Sequence, residues 1–183
     1  MDAGYLYPRC NLEEEIVMDG ITLGKFFLKE LEEETPASRK CLERVPESLF
    51  TWKPHEKSMS MGYLALVVAE IPQWITDIVE ISEIDFATFK HFEPKTTADL
   101  VKHFEENLKG TRIALQNVTD EALSEPFSLK NKGEVLFSSP KSDNIGSSIN
   151  HLVHHRGQLT VYLRLNNIPV PSIYGPSADD KSF

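Results

Sequence analysis

Cysteine is scarce in this chain. There are two, Cys10 and Cys41, and no Cys-x-x-Cys. That removes the paired-cysteine redox and metal motifs. With so much chain available for a core, two reduced thiols in a cytoplasm are the expectation, and a single disulfide between them is the alternative. Positive charge is also short: 19 basic residues stand against 28 acidic ones, a net charge of −9. Nucleic-acid binders are usually basic, so no nucleic-acid partner is expected. No apolar run approaches the ~20 residues needed to span a bilayer, so no membrane partner is expected either. The N-terminal residues lack a basic segment followed by an apolar one, and no secretory signal is expected. There is no repeat, linker or low-complexity tract. A Gly-rich phosphate loop and a Gly-x-Ser-x-Gly elbow are both missing.

What remains is an ordinary globular composition, 183 residues with 40% hydrophobic. It suits one domain spanning residues 1–183. The first twenty residues read as irregular, with Pro8 and the acidic run Glu13 to Glu15. Helical periodicity begins near Thr22, a candidate N-cap, and continues through Phe26, Phe27, Leu31, Cys41, Leu42 and Val45. Pro36 either kinks that helix or opens a short separate one behind a Thr35 cap, and Pro46 marks the end. Ser58 or Ser60 caps a second helix reaching Ile81, buried through Leu64, Val67, Val68, Ile71, Trp74, Ile75 and Ile78, with a kink at Pro72. A third runs from Thr97 to Val118, and Asp120 to Leu123 forms a short turn. Phe127, Leu129, Val135 and Phe137 flank Asn131-Lys132-Gly133 and read as a small hairpin or irregular excursion. A fourth long helix ends near Asn167. The fold class is therefore all-α: a four-helix bundle with that excursion between the third and fourth long helices.

The fourth helix carries the chemistry. With Leu152 as reference and about 100° per residue, Ile145, Ile149, Leu159 and Leu163 gather around it as the core face. His151 and His155, one turn apart, project from one flank, as do Ser148 and Tyr162. Two imidazoles at that spacing can grip one transition-metal ion. His154 points away, toward solvent or a partner. Arg156 falls within the apolar stripe and needs a partner, because an unpaired buried charge costs several kcal/mol. Glu70 is one candidate. Gly157 suggests a close backbone approach, and Gln158 reads as a surface residue. Acidic runs such as Glu32 to Glu34 read as solvated faces.

The stretch His151-Leu-Val-His-His-Arg-Gly-Gln-Leu, followed by Pro169-Val-Pro-Ser-Ile-Tyr-Gly-Pro-Ser-Ala-Asp179, resembles the DinB superfamily. So do Trp52-Lys53-Pro54, Gly62-x-Leu64-Ala65 and Ala69-Glu70-Ile71-Pro72-x-Trp74. The resemblance runs from about Thr22 to Asp180. It implies a four-helix bundle, often a homodimer, holding a divalent transition metal such as zinc or nickel through three histidines. Two of them map onto His151 and His155. Some members of that superfamily act on thiol-linked substrates, and many have no established activity.

This sequence departs from the pattern at one ligand. The histidine expected on the second helix falls at Val67, which has no lone pair to give. Glu70, His55, His91, His103 or water are the alternatives for a third donor. Two functional expectations follow. One is a metal-binding protein, and in its enzyme form a catalyst acting on a small thiol-linked or electrophilic substrate, with Glu70 or Tyr162 moving protons. The other is a non-enzymatic bundle that binds a small ligand or dimerises around a degenerate site.

Overall fold

The computed structural model describes residues 20–182. The readings of the N-terminal segment and of Cys10 lie outside the described residues. Four long helices form the bundle: α1 (Gly20–Leu42), α2 (Met61–Glu80), α3 (Thr97–Asn117) and α5 (Lys141–Leu165). A one-turn helix α4 (Asp120–Ser124) and three short strands, β1 (Glu83–Asp85), β2 (Pro126–Asn131) and β3 (Glu134–Pro140), complete it. Helix α2 packs against α3 and α5, and α1 closes the square against the same two.

Local chemistry sets the helix starts. Ser60 Oγ accepts from Tyr63 N at 3.3 Å, so Ser60 rather than Ser58 caps α2. Thr96 and Asp99 cap α3 reciprocally, each side chain taking the other's backbone N–H. Helix α1 already includes Thr22, which is therefore not its cap. Pro36 lies inside that one continuous helix, and Thr35 Oγ1 donates back to Leu31 O at 2.8 Å instead of capping a second helix.

Pro72 lies inside α2, where it cannot donate to the preceding turn. Helix α3 hydrogen-bonds to α2 around this turn: Asn107 Nδ2 donates to Ala69 O at 2.9 Å and Thr111 Oγ1 to Pro72 O at 2.6 Å. Contrary to the reading of short apolar runs, α2 is long and apolar enough to cross a membrane by length and composition. Its apolar surface is mostly buried against protein, as befits the central helix of a bundle.

The excursion is a true hairpin. Lys132 and Gly133 form its two-residue turn with φ of 52° and 80°, the backbone that a type I′ turn requires. Strand β1 was not anticipated. It pairs in parallel with β2 and gives the order β1-β2-β3. Asp85 fastens β1 to the turn by accepting from Lys132 N at 3.0 Å and Gly133 N at 2.7 Å. Ile84, Leu129 and Phe137 stand in register across the three strands.

Helices α2 and α5 run antiparallel. Tyr162 Oη reaches Met59 O near the start of α2, Trp74 meets His151 midway, and Lys141 Nζ reaches Val79 O near the α2 end. The same register sets Val67 opposite the turn that carries His155.

Candidate functional site

His151 and His155 do come together. Their Nε2 atoms are 2.7 Å apart and their ring centroids 4.4 Å apart. His155 is buried and His151 is open to solvent on one side, with its ring against Trp74. Gln158 is not a bystander: its Oε1 lies 2.8 Å from His155 Nδ1. With Gln158 as acceptor, Nδ1 carries the proton of His155. Its Nε2 then accepts the hydrogen bond that His151 Nε2–H donates. Burial, and then the neighbouring His155 and His154, hold His151 below the ordinary histidine range. The pair is thus closed on itself by one hydrogen bond.

The remaining residues singled out on this helix have other partners. Arg156 is 1% exposed. It meets Glu34 rather than Glu70, with Nη2 2.5 Å from Oε2, and it also donates to Glu34 O, Ser38 Oγ and Tyr174 Oη. It ties α5 to α1 and to the C-terminal segment. Gly157 faces open space, so no close approach explains it. Tyr162 rests its ring on Trp52 and its hydroxyl on Met59 O, and takes no part in the site. Ser148 Oγ donates to Asn144 O at 2.8 Å. Cys41 is a fully buried free thiol, pushed up to about 11 by burial, which makes it a packing residue rather than a nucleophile.

Beside the pair lies a cavity of about 340 Å³. Helix α2 gives Tyr63, Trp74 and Ile78 to its wall, and the sheet row Ile84, Leu129 and Phe137 faces them. Phe86, Phe89 and His91 come from the connection between β1 and α3, and Asn144, Ser147, Ser148 and His151 from α5. The lining is mainly aromatic, with polar groups confined to a few positions. Sequence reasoning held His91 only as an alternative third donor and missed both phenylalanines. Aromatic density in a segment without helical period was the one available signal.

Glu70 sits just behind this wall, 3% exposed. Its Oε2 is 2.6 Å from His91 Nδ1 and its Oε1 accepts from Phe92 N at 2.8 Å. It is therefore committed to His91 and not to the histidine pair. His103 stacks on Phe92 with centroids 4.3 Å apart. His55 belongs to the connection before α2, where its Nδ1 accepts from Lys57 N.

The DinB family model matches residues 21–182. The chain belongs to the DinB family. Its fold is similar to that of a DinB-like protein from Bacillus cereus ATCC 10987, with a TM-score of 0.63 and 23% identity, covering 82% of this chain and 97% of that one. It is also similar to the DinB-like protein YjoA from Bacillus subtilis, with a TM-score of 0.62 and 17% identity, covering 79% and 93%. Among curated proteins nothing matches.

For a DinB-family chain the donor set is incomplete. Val67 is 5% exposed and purely apolar at the position where the resemblance expects a histidine. Among the described residues, no three histidines, cysteines or carboxylates gather into a metal-holding group. Two imidazole nitrogens on one tetrahedral ion at ordinary zinc–nitrogen lengths lie about 3.3 Å apart. At 2.7 Å the His151–His155 pair is closed on itself by a hydrogen bond. These residues do not fit a three-histidine centre.

Proposed function

We propose that this DinB-family chain binds a small, largely apolar molecule in the aromatic cavity, with the hydrogen-bonded His151–His155 pair as a polar fixture at its wall. The observation that carries the reading is the cavity itself, about 340 Å³ and bounded by helix, sheet and connecting segment. Small-molecule sites are commonly clefts of roughly this size, mostly apolar with a few placed polar groups. The non-enzymatic form needs nothing that Val67 fails to supply.

Trp74 lines the cavity and provides the measurement. The chain has two tryptophans, so Trp52→Phe leaves Trp74 as the sole indole reporter. Titration with 4-nitroanisole, a neutral nitroaromatic, is expected to quench its fluorescence saturably. Ser147→Phe, which narrows the opening, is expected to weaken binding roughly tenfold, about 1.4 kcal/mol. Linear, unsaturable quenching in both proteins would sink the reading.

A second reading is favoured by Gln158. A metal-bound histidine typically donates its other ring nitrogen to an acceptor, as His155 Nδ1 does here. In that reading His151 and His155 open to hold a divalent ion such as zinc or nickel, with solvent or ligand completing the shell, and the enzyme acting on a thiol-linked or electrophilic substrate rests on that ion. Val67→His discriminates, because the helix register sets this position opposite His155. Zinc affinity, read by competition with a chromophoric chelator, is expected to rise roughly 100-fold over the parent. No gain would mean that the pair and position 67 do not share a metal-sized space.

A further inference from the structure

We propose that Glu70 and His91 form a carboxylate–imidazole dyad that presents a proton-accepting nitrogen to the cavity, and that the cavity therefore takes an aromatic ring bearing one acidic hydroxyl, a phenol. The inference rests on the cavity reading above and names the class of ligand.

The geometry is that of an oriented base. Glu70 is 3% exposed and has both oxygens engaged, one with His91 Nδ1 at 2.6 Å and one with Phe92 N at 2.8 Å. With the carboxylate oxygen as acceptor, His91 donates through Nδ1, and Nε2 is the ring nitrogen left for a ligand. Among the described residues Nε2 has no hydrogen-bond partner. The ring meets Tyr63 and Phe89 edge-on, with centroids 5.8 Å and 5.1 Å away, and lines the cavity wall. Neither partner does this work elsewhere: Glu70 does not meet Arg156, and His91 does not reach the histidine pair.

The walls choose the rest of the ligand. Trp74, Phe86, Phe89, Phe127 and Phe137 offer ring faces and edges to a flat aromatic body. A hydroxyl on that ring can donate to His91 Nε2. If the proton crosses, the O–H bond breaks with its electron pair left on oxygen, and an N–H bond forms at Nε2. The resulting imidazolium is neutralised by Glu70 behind it, so the site keeps the proton without stranding a charge. The other titratable groups nearby are Tyr63 from α2, His151 from α5, and His103 from α3, which feels the Glu70 charge.

The test uses 4-nitrophenol, whose phenolate has its own absorption band, beside 4-nitroanisole, which has no acidic proton. It is run at the pH where the free dye is half ionised. Bound to the parent protein, 4-nitrophenol is expected to be mostly phenolate, a shift of roughly tenfold in its ionisation ratio. His91→Gln keeps a polar side chain at a partly exposed position but removes the base; its bound dye is expected to be no more ionised than free dye. Glu70→Gln is expected to lose most of the shift, with its urea midpoint recorded to establish that it folds. Equal phenolate content in the parent and His91→Gln overturns the proposal. So does equal affinity for the two dyes with no ionisation shift, and in that case the cavity reading stands. If neither dye binds, the cavity reading itself has failed and the dyad falls with it.

Discussion

Arg156 shows what a single residue demands of the fold. It is among the largest fully buried side chains, and a guanidinium in that position is tolerated only when its donors are met. Glu34 supplies both its carboxylate and its carbonyl, while Ser38 accepts from Nη1 and Tyr174 from Nη2. Removing one member of such a pair leaves the other uncompensated. Glu34→Gln is therefore expected to destabilise by about 3 kcal/mol in urea unfolding, whereas Tyr174→Phe, which removes a hydroxyl that accepts from Arg156 and donates to Glu34 but leaves the ion pair, should cost about 1 kcal/mol. A loss below that of Tyr174→Phe would mean that water, not Glu34, compensates the charge. The need of Arg156 for a carboxylate was legible in the sequence, but its partner was not. Consecutive helical residues point about 100° apart, so the run Glu32 to Glu34 cannot face one way. Glu32 meets Arg112, Glu33 stays in solvent near Lys29, and Glu34 turns inward. Composition read the three as one solvated face.

At the scale of elements, whatever depends on near neighbours was readable and whatever depends on distant ones was not. The Ser60 cap, the α3 start and the Lys132-Gly133 turn each follow from a few adjacent residues. Strand β1 has three residues and no alternation to detect, and it exists because β2, arriving from far along the chain, supplies its hydrogen-bond partners. Helix α5 begins at Lys141, ahead of the apolar periodicity that starts at Ile145. Its first turn is polar yet packed: Lys141 is 5% exposed, with Nζ on Val79 O and near Glu125 Oε2. The candidate site divides in the same way. The histidine pair is an i, i+4 relation within one helix and was visible. The cavity draws its walls from α2, three strands, a connection and α5, and no local pattern records such a convergence.

For the whole molecule, the histidines set how the fold responds to acid. His151 and His103 are both held below the ordinary value of 6.5, chiefly by burial. Among the described residues His103 Nε2 is buried with no partner, so a proton there finds no acceptor among them. In the unfolded chain both rings titrate normally. Below 6.5 the unfolded state therefore binds more protons than the folded one, and stability falls as pH drops toward the folded values. The carboxylates act lower. Asp179 and Asp180 pin the C-terminal segment and are depressed by their hydrogen bonds, Asp180 to about 2, so their contribution is present above 3.8 and fades as pH falls through that lower range. Asp77, raised by burial, opposes them in sign, gaining its proton more readily in the folded state. Two separated losses are thus expected in the urea midpoint: one that sets in as pH falls below 6.5, and a second below about 4. His103→Gln and His151→Asn should each flatten the first and leave the second in place. A midpoint that is level from pH 7 to 5 in the parent would show that neither imidazole is shielded from protons by the fold.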